Sequence, residues 1–180
     1  MKYLTDILKL STLRTQDHRQ LFQLMKQIYP PVYKHLWPDE GERYLNLLYN
    51  PENFKKELAN PNSKYYLIWY GSEAIGILRV LLNEALHECN DIKSVKLQRI
   101  YLSPSVQGKG IGKQLIQWVE KEFCSQQETI LWLEAMDTQQ AALNFYQKME
   151  FEIVNHFKFN SEFMKDEYRG MYTMVKKIKK

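Results

Sequence analysis

Gly108, Gly110 and Gly112 fall at alternate positions with Lys109, Ile111 and Lys113 between or beside them. They run directly into Leu115, Ile116, Val119 and Phe123, an apolar stripe at helical spacing. A glycine-rich turn that feeds a helix leaves main-chain N–H groups unpaired and aimed at one place, with the positive end of the helix dipole behind them. Missing Cβ atoms let a phosphate-sized anion approach the main chain, and Lys109 and Lys113 add positive charge on either side. The pattern therefore predicts an anion cradle over Gln107–Lys113, suited to a pyrophosphate. A Walker loop is excluded, because Gly112-Lys113 is followed by Gln114 and no hydroxyl is placed for magnesium. The dinucleotide fingerprint needs gaps of one and then two residues near the first strand, whereas here both gaps are one and the strand lies past mid-chain.

The cradle needs a strand before it and a partner strand after it. Val95, Leu97, Ile100 and Leu102 are β-compatible, and their shift from odd to even positions at Gln98-Arg99 predicts a bulge. Ser103-Pro104-Ser105 ends that strand. Beyond the cradle helix, Thr129–Ala135 is a nearly continuous apolar run, the pattern of a central strand parallel to Val95–Leu102 with the helix as crossover. A helix over Gln139–Met149 follows, with Ala142, Phe145 and Met149 on one face.

Gln107-x-x-Gly110-x-Gly112 after a bulged strand resembles the acetyl-CoA signature of the GNAT superfamily of N-acetyltransferases. Gln139-x-x-Ala142-x-x-Phe145-Tyr146-x-Lys148-x-x-Phe151 resembles the second landmark of that superfamily, at its usual distance. The similarity extends from about Asn50 onward. Lys56-Glu57-Leu58, Arg99-Ile100-Tyr101 and Lys148-Met149-x-Phe151 look closest to bacterial PaiA-type polyamine acetyltransferases. Three positions depart from the pattern: Gln139 stands for the asparagine that holds the pantetheine arm, Glu150 for the glycine of the Gly-Phe pair, and Gln98 for a frequent glutamate.

The resemblance implies an α/β (α+β) GNAT fold: one mixed sheet of six to seven strands, splayed between its two central parallel strands, with flanking helices. It implies acetyl-CoA as cosubstrate, a cofactor core over about 94–151, and room for a homodimer. Ile100, Tyr101, Leu102, Gln107–Lys113, Gln139 and Tyr146 would hold the cofactor, the cradle contributing Gln107, Gly108, Lys109, Gly110, Ile111, Gly112 and Lys113. The Leu102 N–H, released from its ladder by the bulge, would meet the oxyanion, and Tyr146 would be the general acid toward the leaving thiolate. Glu134, on the second central strand, is a candidate base; an outward-facing or salt-bridged carboxylate is the alternative reading. The implied reaction is acetyl transfer to a primary amine of a small, polyamine-like molecule by direct attack in a ternary complex. A protein lysine or N-terminus as acceptor, and a CoA-binding regulatory module with little turnover, are the alternatives.

Around this core, Leu4–Leu10 reads as an opening strand. A first helix starts at a Thr15 cap, carries Leu21, Leu24, Met25 and Ile28, and stops at Pro30-Pro31. Asp39-x-x-Glu42 has capping-box spacing for a second helix, and Asn50-Pro51 starts a third. Lys64–Tyr70 and Ala74–Leu82 form a hairpin about Gly71-Ser72; Phe151–Phe159 and Met171–Ile178 are closing strands around the polar segment Ser161–Arg169. Asn83–Ser94 reads as a loop with Glu84, Glu88 and Asp91 as an acidic group; with Pro30–Asn62 it should contact the acceptor. A chain of 180 residues is expected to form one domain, 1–180. The net charge of +4 is mild and concentrated in Lys176–Lys180, which argues against a nucleic-acid partner. Apolar runs are too short for a membrane span and no secretion signal is read, so a cytoplasmic location is expected. The two cysteines and four histidines, His87 and His156 among them, make no metal spacing and no catalytic triad.

Overall fold

The computed structural model describes residues 1–86 and 93–179. His87, Glu88 and Asp91 lie outside the described residues. The chain runs β1 (Lys2–Tyr3), β2 (Leu8–Thr12), α1 (His18–Ile28), α2 (Pro30–Tyr33), α3 (Glu42–Leu48), α4 (Pro51–Ala59), β3 (Ser63–Tyr70), β4 (Glu73–Leu82) and β5 (Lys93–Leu102). Then come α5 (Ile111–Val119), β6 (Thr129–Met136), α6 (Gln140–Lys148), β7 (Glu152–Lys158) and β8 (Gly170–Ile178). The strands form one eight-stranded sheet in the order β1-β2-β3-β4-β5-β6-β8-β7, with β5 and β6 parallel and all other neighbours antiparallel.

The expected six to seven strands become eight because the opening strand is a small hairpin. Leu4–Ile7 turns the chain: Leu4 N–H donates to the Leu8 carbonyl at 2.9 Å, and the Thr5 hydroxyl accepts from Leu8 N–H at 2.9 Å. That leaves Lys2–Tyr3 to pair with Lys9–Leu10. Pro30-Pro31 ends α1 as expected but also opens the short α2, since a proline lacks only a donor that a first turn does not use. At α3 the cap is Gly41, at φ +91°, while the Asp39 carboxylate accepts from Gly41 N–H (3.1 Å) and Arg43 N–H (2.8 Å). Asp39 therefore satisfies orphan donors without itself being the N-cap. The Asn50 cap of α4 is as expected, its side chain accepting from Asn53 N–H at 2.8 Å.

Two cores flank the sheet. One packs α5 and α6 against Val95, Leu97, Leu131 and Leu133; the other packs α1, α3 and α4 against Tyr65, Leu67 and Ile77. In β5, Arg79 faces Arg99 but Val80 faces Leu97, so Gln98 is the extra residue of a bulge where the phase shift put it. The β5–β6 ladder runs only from Lys93↔Thr129 to Lys96↔Trp132, and beyond it the two strands part.

Candidate functional site

The parting of β5 and β6 opens a passage between the two cores, and a cavity of about 300 Å³ lies in it. Ser103 N–H donates to the Ile75 carbonyl at 2.7 Å, which fixes the phase of the β4–β5 ladder. Main-chain groups alternate sides along an antiparallel strand, so Tyr101 faces β4 while Ile100 and Leu102 turn theirs into the gap. Ile100 and Leu102 thus turn an unpaired strand edge into the gap, left free by the parting of β5 from β6 rather than by the bulge, and Tyr101 lines the cavity beside them. Gly76, opposite Leu102, permits this arrangement. A Cβ there would overlap the Tyr101 carbonyl and stand 3.2 Å from Leu102 Cα. Nothing in the sequence around Gly76 marks that close approach.

The cradle lies at the end of the same strand. Gly108 (φ +79°) and Gly110 (φ +72°) hold left-handed conformations, and a Cβ on either would meet nothing within 4 Å, so open space faces them. The first intrahelical amide of α5 is that of Gln114, which donates to the Gly110 carbonyl at 3.2 Å. The N–H groups of Ile111, Gly112 and Lys113 are left for an outside acceptor. Gly112 has a different reason from its two neighbours: a Cβ there would come within 3.1 Å of the Phe145 ring. It is small so that α5 and α6 can pack, and it joins the two sequence landmarks physically. Gln107 and Lys109 are exposed, with the Lys109 ammonium 5.1 Å from the Tyr70 ring. These features fit a diphosphate held by main-chain donors with lysines beside it.

Tyr146 reaches the cavity from α6, whose N-cap is Gln139, also in the lining. The helix end is fixed by a Schellman motif: Phe151 N–H donates to the Tyr146 carbonyl (3.0 Å) and Glu150 N–H to the Gln147 carbonyl (2.9 Å). Glu150 therefore occupies the left-handed position, at φ +68°, where the family pattern has glycine. Its carboxylate, 3.0 Å from the Lys176 ammonium, offsets part of that strain. Burial, and then the neighbouring Tyr101, hold the Tyr146 phenol well above its ordinary pKa. Glu134 lines the same cavity and is ion-paired to Lys96 at 2.9 Å; its Oε1 receives no hydrogen bond from a described residue.

The wall opposite Tyr146 falls largely within Pro30–Asn62, the region expected to contact the acceptor, although no spacing there singles out its residues. Tyr33, Tyr29, Tyr44 and Trp37 stack in sequence with centroid spacings of 4.8, 4.9 and 4.8 Å, and Tyr101 meets Tyr29 and Tyr33 edge-on. The signal was aromatic density between residues 29 and 49, without a spacing that marks chemistry. Below them lies a buried ionic group. Glu57 of α4 accepts from Arg79 and twice from Arg99, each at 2.8 Å, tying together two arginines that face each other across β4 and β5. This cluster clamps the strand next to its bulge. His156 pairs with Asp137 at 3.0 Å, and among the described residues no cluster of three or more His, Cys, Asp or Glu side chains is placed to hold a metal.

Comparison with known proteins agrees with this geometry. Residues 20–151 match the acetyltransferase (GNAT) family. An uncharacterized N-acetyltransferase from the pepI 3′ region of Lactobacillus delbrueckii subsp. lactis is 30% identical over 109 residues, 61% of this chain and 63% of that protein. The chain thus spans somewhat less than two thirds of that relative's length. The aminoalkylphosphonate N-acetyltransferase of Salmonella typhimurium is 27% identical over 108 residues, 60% of this chain and 68% of that one. The crystal structure of PaiA N-acetyltransferase from Thermoplasma acidophilum, in complex with coenzyme A, shares the fold with a TM-score of 0.71. It is 19% identical and the match covers 95% of this chain and 99% of that one. A family match over most of the chain, on a sheet that parts beside a glycine cradle, leads to one conclusion: the chain belongs to the GNAT acetyltransferase family.

Proposed function

We propose that this protein moves the acetyl group of acetyl-CoA to a primary amine of a small molecule by direct attack in a ternary complex. The observation that carries the reading is the gap after Lys96, which sets the unpaired main chain of Ile100 and Leu102 in one cavity with Tyr146. When bound, the cosubstrate supplies a thioester whose carbonyl carbon is electrophilic and whose sulfur leaves as a thiolate. The N–H groups of Ile111, Gly112 and Lys113, with Lys109, grip the diphosphate. The edge of β5 pairs with the pantetheine amides as an added strand would. Leu102 N–H donates to the carbonyl oxygen as negative charge grows on it.

Tyr146 donates its proton to the leaving sulfur. Its raised pKa keeps the phenol protonated at neutral pH, and the same dry surroundings raise the proton affinity of a thiolate, so the two stay matched. Glu134, with Oε2 tied to Lys96, receives the amine proton through water on Oε1. Gln139, at the head of α6, bonds the pantetheine arm. The 1–180 chain acts as one domain in this reading.

The test is thiol release from acetyl-CoA across polyamines, alkyl and aryl amines, amino acids, amino sugars and peptides. Release with at least one class is expected. Heat on titration with coenzyme A but silence across the whole panel would leave a binding module with no transferase activity.

A further inference from the structure

The cavity's wall and charge select among amines, and we infer that the acceptor carries its single amine on an uncharged apolar or aromatic body. This rests on the acetyl-transfer reading above. Three observations support it. The wall facing Tyr146 is continuous aromatic surface, Tyr33, Tyr29, Tyr44 and Trp37 in one stack with Tyr101 across its edge. Tyr29 and Tyr44 are sandwiched, so these rings spend most of their faces on one another, and the edges left to the cavity take up apolar bodies without the attraction that a free ring face has for an ammonium.

Among the described residues the charge around the cavity is positive. Lys96 and Arg99 line it with the carboxylate of Glu134, and Arg79 joins Arg99 on Glu57 in the buried cluster beneath, so three cations stand against two carboxylates. A second ammonium, as in a polyamine, would enter a dry site whose described charges repel it. The same surroundings lower the proton affinity of the one reacting amine, which favours the neutral form that attacks. An anionic acceptor gains little either. The Arg99 guanidinium spends two nitrogens on Glu57, and the Lys96 ammonium sits between Glu134 and the Trp132 ring, 4.2 Å from its centroid.

A second hollow continues the first and shares Trp37, Tyr44, Leu48 and Phe159 with it. Its outer walls are Leu47 and Phe163, 54% and 38% exposed, with Asn53, Asn160, Ser161 and Glu162 as a polar rim, so apolar surface leads outward from the reacting end and the nearest further carboxylate stands in this outer hollow. An arylalkylamine would fill the inner cavity alone. A peptide with an apolar first residue would fill both.

The experiment measures kcat/KM for phenethylamine, for a hexapeptide beginning with leucine, for spermidine and for 2-aminoethylphosphonate. In parallel, indole fluorescence of the CoA-loaded protein follows binding of each amine, with Trp37→Phe identifying the signal of the cavity. Either apolar amine is expected to exceed both charged ones by at least tenfold in kcat/KM and to bind more tightly; which of the two leads tells a small-molecule from a peptide source. Spermidine or the phosphonate matching or exceeding them overturns the inference while leaving acetyl transfer intact. Tight binding of an apolar amine without thiol release with any amine sinks the transfer reading and keeps the selectivity. Tyr33→Asp, on a half-buried ring, should lower the phenethylamine-to-spermidine ratio at least tenfold. Thermal unfolding checks that variant, and Tyr33→Leu, which keeps an apolar wall, should hold the ratio within threefold; a ratio unmoved by aspartate overturns the assignment of this wall.

Discussion

Raising the pH should unfold this protein through six of its tyrosines before it titrates them. Tyr29, Tyr33, Tyr44, Tyr49 and Tyr146 are held well above the ordinary phenol range of 10.0, and Tyr65 is pushed up to about 12, in every case chiefly by burial. Their folded pKa values exceed the unfolded ones, so their contribution to stability is complete below pH 10 and is lost as pH climbs beyond it. At about pH 11 each unfolded tyrosine gains roughly 1.4 kcal/mol by ionising, and six together gain roughly 8 kcal/mol. A domain of ordinary stability, about 5–15 kcal/mol, has little left after that loss. Far-ultraviolet circular dichroism and phenolate absorbance, followed together from neutral to strongly alkaline pH, read the two events. The six should ionise only in step with loss of helix and sheet. Because Tyr146 keeps its proton until then, kcat should show no descending limb before unfolding begins. Appearance of the six phenolates in a protein of native dichroism would refute the burial argument and with it the proposed state of Tyr146.

Gly110→Asp should abolish coenzyme A binding by calorimetry, because a left-handed aspartate would set a carboxylate against the diphosphate; retained affinity would move the anion elsewhere. Tyr146→Phe should lower kcat by about 10²-fold or more with coenzyme A affinity nearly unchanged, and an unaltered kcat removes the phenol from the mechanism. Glu57→Gln strips the counter-charge from two buried arginines and should cost about 3–5 kcal/mol in urea unfolding; a loss under 1 kcal/mol would show that the cluster is not a clamp. Glu150→Gly should stabilise the protein by about 1 kcal/mol, since relief of left-handed strain outweighs one exposed ion pair, and destabilisation would reverse that ranking.

The bulge and the glycine turn of the candidate site were legible because their physics is local. The phase shift at Gln98-Arg99 marks the bulge, and the alternation of glycines marks the cradle, within a few residues of each other. The expectation that one requirement explained all three glycines was too simple. Gly112 answers to Phe145, which is 33 positions away and invisible to any local pattern. The wall proposed for the acceptor was legible only as a region, Pro30–Asn62, and not residue by residue, for the same reason. Tyr33, Trp37 and Tyr44 become a wall only when α2 and α3 fold over the end of β5, and the partnership of Glu57 with Arg79 and Arg99 spans three separate elements. Glu134 illustrates the limit most directly, since its pairing with Lys96 depends on the register of β5 with β6.

The strand order β6-β8-β7 separates neighbours in sequence from neighbours in space. The stretch 94–151, which reads as a self-contained cofactor module, owns β6 but not the strand that seals it. Residues 170–178 must travel back past β7 to slot between them, and β7, exposed along nearly its whole length, has that late arrival as its one strand neighbour among the described residues. A nascent chain that has made the cradle and Tyr146 thus still displays a raw, sticky β6 margin. Minimal versions trimmed to the two family motifs should clump on expression, however faithfully they keep every residue that touches coenzyme A.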